Sequence, residues 1–146
     1  MERVLFVCTG NTCRSPMAAA ILTSKQIPGV EVKSAGVFAL NGDALSPNAQ
    51  QVLEENKLPL EHQSTQLSEE EVGWATLILT MTASHKNAVI SHFPQAKDKV
   101  FTLREFAGEI GPYDIADPYG GSVEMYRESF GEIRQAIEKS LAKWEK

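Results

Sequence analysis

Apolar residues in this chain recur in short strand-like runs separated by longer helical patterns. Arg3-Val4-Leu5-Phe6-Val7 is unbroken rather than alternating, which predicts a first strand buried on both faces. Val30-Glu31-Val32-Lys33-Ser34-Ala35 alternates and predicts a second, more exposed strand. Thr76-Leu77-Ile78-Leu79-Thr80-Met81 predicts a third by its length and β-branched content, and Val100-Phe101-Thr102-Leu103 a short fourth. Helical patterns lie between them: Met17 to Leu22, ending near Pro28-Gly29, and Pro47 to Asn56 behind Ser46 as N-cap. A further capped start is expected at Ser68-Glu69-Glu70-Glu71, whose acids suit the positive end of a helix dipole. A helix from about Ser84 to Phe93 is stopped by Pro94. From about Val123, Tyr126, Phe130, Ile133, Ile137, Leu141 and Trp144 recur at spacings of three and four, marking one buried face. Strand alternating with helix implies right-handed crossovers. The expected fold class is α/β: a three-layer sandwich with a four-stranded parallel sheet and helices on both faces.

The first strand runs into Cys8-Thr9-Gly10-Asn11-Thr12-Cys13-Arg14-Ser15, and Ser15-Pro16 opens a helix. A strand, a tight turn and a helix N-terminus together aim backbone N–H groups at one point and favour an anion there. Arg14 adds a planar fork suited to a tetrahedral oxyanion. A thiol at the bottom of that cradle meets N–H dipoles, a helix N-terminus and a guanidinium, so Cys8 is expected to be a low-pKa nucleophile beneath a bound phosphate. Alone, Cys8 would read as a small buried hydrophobe. The Cys-x5-Arg-Ser spacing reverses that, and the absent Gly-Lys-Ser/Thr ending excludes an ATP-type loop. Thr9, Gly10, Asn11, Thr12, Cys13 and Arg14 are the candidate phosphate-binding residues, with Ser15 placed to donate a hydrogen bond to the thiolate. Asn11 is expected to hold the loop's conformation, by side-chain bonds or a left-handed turn.

The chain of 146 residues is read as one domain, 1–146, with ordinary globular composition. A net charge of −5 argues against a nucleic-acid partner. Two cysteines cannot staple a fold of this size, which points to a reducing, cytoplasmic setting. The apolar run after Met1-Glu2-Arg3 is too short for a signal segment, no run reaches membrane-spanning length, and a monomer is expected. His62, His85 and His92 fall on presumed loops and helix surfaces, in solvated or capping roles, and no metal-ligand spacing occurs. Asp117, in the loop before the last helix, is either a proton donor to a leaving group or the initiator of an Asp-Pro turn.

Val7-Cys8-Thr9-Gly10-Asn11-Thr12-Cys13-Arg14-Ser15-Pro16, Ser34-Ala35-Gly36 and Asp117-Pro118-Tyr119 together resemble the low-molecular-weight protein tyrosine phosphatases, over essentially the whole chain. Thr12 stands where the tyrosine phosphatases usually carry an aliphatic residue, and in this the chain is similar to the bacterial protein arginine phosphatases. Thr65 and Met81-Thr82 depart from the tyrosine phosphatases' frequent basic residue and Met-Asp, in keeping with that branch. The resemblance implies a flavodoxin-like fold of phosphotyrosine phosphatase I type and an activity without cofactor or metal on phosphorylated proteins. Phosphoarginine would be the substrate and phosphotyrosine the alternative, with Cys8 as nucleophile, Arg14 as charge stabiliser and Asp117 as general acid. It also implies Phe38 and Tyr119 as pocket walls beside Thr12, and a reversible Cys8–Cys13 disulfide. Arsenate reduction would need further cysteines after Cys13, and a non-catalytic phosphate-binding module would need neither Cys8 nor Asp117.

Overall fold

The computed structural model describes residues 2–58 and 60–145, so Met1, Pro59 and Lys146 of the span 1–146 lie outside the described residues. Its strands β1 (Glu2–Cys8), β2 (Val30–Gly36), β3 (Leu77–Thr80) and β4 (Val100–Thr102) form one parallel sheet in the order β2-β1-β3-β4. The helices are α1 (Arg14–Ser24), α2 (Pro47–Glu55), α3 (Glu69–Trp74), α4 (Ala83–His92), α5 (Leu103–Phe106) and α6 (Val123–Ser140). None of the described helices is long and apolar enough to cross a membrane. The chain leaves β1 toward β2 on one side and later crosses to β3 on the other. The carboxyl end of β1 therefore lies at the switch point where open α/β sheets bind ligands.

Apolar layers cover both sheet faces, as the alternation of elements predicts. On one, Val4 and Phe6 pack with Met17, Ile21, Leu53 and Ile133 from α1, α2 and α6. On the other, Leu5 and Val7 pack with Val72, Ile78 and Val89. Val4 to Val7 are all completely buried, the physical reason that their sequence shows no alternation. The edge strand β2 keeps its alternation until Ala35 and Gly36, which are buried beside the loop that follows β1. Removing the Phe6 ring would cost about 3–5 kcal/mol.

Boundaries differ from the sequence reading where side chains compete for backbone groups. Ser46 caps α2 as expected, its Oγ accepting from Ala49 N at 3.3 Å. Ser68 sits at the start of α3, but its hydroxyl donates to the Glu71 carboxylate at 2.6 Å instead of accepting from the backbone, because a carboxylate is the stronger partner. α4 starts at Ala83 because Thr82, not a later serine, accepts from His85 N at 3.1 Å. Leu103 leaves the strand for α5, drawn by a capping box between Thr102 and Glu105. α1 begins at Arg14, making Pro16 its third residue, where the missing N–H is still one of the helix's unpaired donors. Leu141 lies past α6 in a 3-10 turn, and Trp144 packs on Phe106 with ring centroids 5.4 Å apart.

Candidate active site

The loop between β1 and α1 is held in shape by one residue. Asn11 has φ of 57°, in the left-handed region that asparagine tolerates, and is completely buried. Its Nδ2 donates to Ser15 Oγ at 2.8 Å and to Ser34 Oγ at 2.9 Å, while its Oδ1 accepts from Thr65 N at 2.8 Å. Its carbonyl accepts from Ser64 Oγ at 2.8 Å and bonds His62 Nε2 at 2.6 Å. Burial pushes the His62 imidazole below its ordinary pKa, against the upward pull of that carbonyl. The loop thus takes its curvature from β2 and the segment before α3, neither of which is near it in sequence.

Cys8 ends β1 with its sulfur 2.9 Å from Ser15 Oγ. Burial pushes the Cys8 thiol up from its ordinary pKa. The Ser15 hydroxyl, the Ser15 N–H, the Arg14 charge and the Asn11 N–H all act in the opposite direction. The net upward direction corrects the expectation drawn from the loop sequence. Only 3% of Cys8 remains exposed, and the loss of water outweighs the donors. Cys13 is also a free thiol, engaged by the hydroxyls of Tyr126 at 3.3 Å and Ser46 at 3.6 Å. Burial and that sulfur push the Tyr126 hydroxyl up to about 12.

Arg14 is almost wholly buried. Its Nη1 donates to Ile115 O at 2.9 Å, and its Nη2 stands 3.6 Å from Asp117 Oδ2. The loop carrying Asp117 is pinned on both sides of the sheet's end: Ile115 N donates to Met81 O at 2.8 Å, and Ala116 O accepts from Ser129 Oγ of α6 at 2.8 Å. Asp117 Oδ1 accepts from Tyr119 N at 3.0 Å, so Asp117 makes its turn and still faces Arg14 with the other oxygen. The Asp-Pro turn that the sequence allowed is present, and it leaves the second carboxylate oxygen beside Arg14 at the cavity wall.

Cys8, Thr9, Gly10, Thr12, Cys13 and Arg14 line one cavity of about 460 Å³, walled by Phe38, Leu40, Asp43, Asp117 and Tyr119. Phe38 is 84% exposed and Tyr119 73% exposed, which removes any core role for Phe38. Asn11 and Ser15 stand behind the wall. A larger cleft of about 720 Å³, among Lys25, Gly29, Lys143 and Trp144, holds no cysteine, histidine or arginine among the described residues. Leu40 and Asp43 were not anticipated, since nothing in their spacing brings them to the loop.

His85 also escaped the sequence reading. It is buried rather than solvated, and its Nε2 lies 2.8 Å from Thr9 Oγ1. The usable signal was topological: the first turn of the helix after β3 must face the loop after β1, because those strands are neighbours. His92 does remain on the surface, bonding Ala88 O at 2.9 Å. Among the described residues no group of His, Cys, Asp and Glu is arranged to hold a metal ion.

The arrangement can seat a tetrahedral oxyanion over a sulfur, with a guanidinium on one side and a carboxylate at the rim. The model of the family described as low molecular weight phosphotyrosine protein phosphatase matches residues 3–146. The protein-arginine-phosphatase of Geobacillus stearothermophilus is 54% identical over 142 residues, 97% of this chain and 95% of that one. The solved YwlE arginine phosphatase from that organism has a TM-score of 0.94 at 53% identity, covering 98% of this chain and 92% of its own. A solved YwlE Cys-to-Ser mutant with a phosphorylated active-site serine has a TM-score of 0.90 at 42% identity, covering 97% and 94%. The low molecular weight protein-tyrosine-phosphatase PtpB of Staphylococcus haemolyticus is 42% identical over 137 residues, 94% of this chain and 96% of that one.

Proposed function

This chain belongs to the low molecular weight phosphotyrosine protein phosphatase family, and from that premise we propose that it hydrolyses phosphoarginine in proteins through a phosphocysteine intermediate. The observation that carries the reading is one cavity whose floor holds Cys8 Sγ 2.9 Å from Ser15 Oγ and whose wall holds Arg14 Nη2 3.6 Å from Asp117 Oδ2. Cys8 attacks phosphorus as its thiolate; Ser15, Arg14 and the loop N–H groups each stabilise that form, and so reduce the cost that burial sets on it. An S–P bond forms and the N–P bond breaks, with Asp117 passing its proton to the departing guanidine nitrogen. Asp117, now a carboxylate, takes a proton from water. That water attacks phosphorus and the S–P bond breaks, returning the thiolate to Ser15. Arg14 and the backbone N–H groups of the loop bear the charge spread over the equatorial oxygens in both transition states.

Thr12, in the cavity lining, offers a hydroxyl where an aliphatic side chain would offer only an apolar wall. It can accept from a guanidinium N–H, with the Phe38 and Tyr119 rings placed to stack on that plane. A second reading, phosphotyrosine hydrolysis, draws on the same exposed rings and on the family's description. Both free cysteines suit a monomeric enzyme of the reducing cytoplasm. Under peroxide, Cys8 would become a sulfenic acid with loss of water, then condense with the Cys13 thiol to a disulfide, releasing a second water. Side-by-side rates on phosphoarginine and phosphotyrosine peptides test the substrate. Faster phosphoarginine turnover, abolished in Cys8→Ser while phosphate still binds, is the expected result. A strong preference for phosphotyrosine would replace this reading with the second.

A further inference from the structure

Thr9 Oγ1 and His85 Nε2 join the phosphate loop to the first turn of α4 at 2.8 Å, across the boundary between β1 and β3. His85 is held there from behind, its own N–H donating to Thr82 Oγ1 at 3.1 Å. The ring is 6% exposed, and its Nδ1 is buried with no hydrogen-bond partner among the described residues. That last fact assigns the tautomer. A proton on Nδ1 would leave a buried N–H donor unmade, whereas a proton on Nε2 leaves only a lone pair there and gives Nε2–H a partner in Thr9 Oγ1. Thr9 Oγ1 is then an acceptor, and its own hydrogen is free. Thr9 is exposed and lines the same cavity as Cys8, so that hydrogen has the cavity to point into.

We propose that His85 is a positioning residue for phosphoryl transfer: by donating Nε2–H to Thr9 Oγ1 it turns the Thr9 hydroxyl into a donor aimed at the bound phosphoryl group. The inference rests on the proposed phosphatase reading and adds a side-chain donor to the backbone N–H groups of the loop. The charges around the ring keep it in the required state. Burial and the Arg14 guanidinium push His85 down to about 4, against the opposing pull of Asp117 and Asp114, so the imidazole is neutral while the enzyme works. A protonated ring would add a second cation beside Arg14 and a buried, unanswered N–H at Nδ1.

The test uses the position of one nitrogen. In His85→Gln the amide nitrogen occupies the Nε2 place, while in His85→Asn it falls at the Nδ1 place. Both replace the same buried ring, so packing damage alone would strike both. Competitive inhibition by inorganic phosphate, with p-nitrophenyl phosphate as substrate, is the readout, together with KM and thermal melting. His85→Asn and Thr9→Val should each weaken phosphate about tenfold. The double variant should be no weaker than either, and His85→Gln and Thr9→Ser should recover most of the loss. Equal losses in His85→Gln and His85→Asn, or losses that multiply in the double variant, would overturn the inference while the phosphatase reading stands. If the His85 variants fail to fold, the Thr9→Val and Thr9→Ser pair decides alone, equal losses in the two again overturning it. A natural enzyme that neither binds phosphate nor turns over the ester would overturn the proposed function itself, and this inference with it.

Discussion

Ser15 Oγ accepts a hydrogen bond from Asn11 Nδ2 at 2.8 Å and lies 2.9 Å from Cys8 Sγ. Asn11 takes one lone pair of the hydroxyl and leaves its hydrogen free for the sulfur; a thiolate can only accept, so that hydrogen stabilises the thiolate more than the thiol. Ser15→Ala removes that donor, so the thiol pKa rises further and less thiolate is present at any fixed pH. A hydrogen bond to a charged group contributes about 1.5–3 kcal/mol, so turnover should fall roughly 10- to 100-fold. The pH dependence of Cys8 alkylation by iodoacetamide should move upward, and a profile that stays in place would contradict the direction of this hydrogen bond.

Asp117 meets Arg14 with one oxygen and its own turn with the other. Asp117→Asn keeps the turn acceptor but has no proton to give. Its kcat should drop by about 10²–10⁴ on phosphorylated peptides, less on aryl phosphates with good leaving groups. Equal losses on good and poor leaving groups would show that Asp117 does not supply the proton.

Thr12→Ile exchanges a hydroxyl in the cavity lining for an apolar wall. The ratio of phosphoarginine to phosphotyrosine turnover should fall by about tenfold or more, the scale set by one unpaired polar contact. An unchanged ratio would place the discrimination elsewhere.

Gly36 ends β2 opposite Cys8, and a Cβ there would lie 2.4 Å from Thr9 O and 3.0 Å from Asn11 N. Both are backbone atoms of the loop between β1 and α1 and cannot step aside singly. Gly36→Ala should destabilise the fold by about 1–3 kcal/mol and weaken phosphate binding, measured by denaturation and by phosphate inhibition. A variant with unaltered stability and binding would refute this close approach.

His62 and His85 are both pushed below the ordinary histidine pKa by burial, His85 to about 4. Unfolded, each binds its proton near pH 6.5, so below that value the unfolded state gains protons that the native state refuses. Their contribution to stability is complete above about pH 6.5 and is lost as the pH falls toward 4. Urea midpoints should decline over this window, above the range where Glu55, held down to about 2 by Arg127, begins to matter. The double variant His62→Gln, His85→Gln should show a flatter profile. If its midpoints decline as steeply as those of the natural chain, other groups drive the loss.

The loop between β1 and α1, the order of strands and helices, and the buried stripe of α6 were all legible in the sequence, because each rests on spacing within one segment. Cys8, Arg14 and Ser15 are bound to each other by chain connectivity, and Val4 to Val7 announce their burial by having no polar partner position. What escaped were the contacts made at a distance. Asn11 takes its partners from Ser34, His62, Ser64 and Thr65, and Thr9 takes His85, because β2 and β3 flank β1 and bring those segments to its end.

The direction of the Cys8 pKa shows the same division. Read locally, the donors around the thiol predict a depressed value. Only the packed fold shows how completely water has been removed from it. The sequence by itself determined which chemical groups are present, their order, and the strand-loop-helix backbone that carries Cys8, Arg14 and Ser15. The tertiary structure decided their solvation, their distant partners and the meeting of Asp117 with Arg14. Desolvation and through-space contact depend on what the rest of the chain places nearby, and no spacing within a segment encodes that.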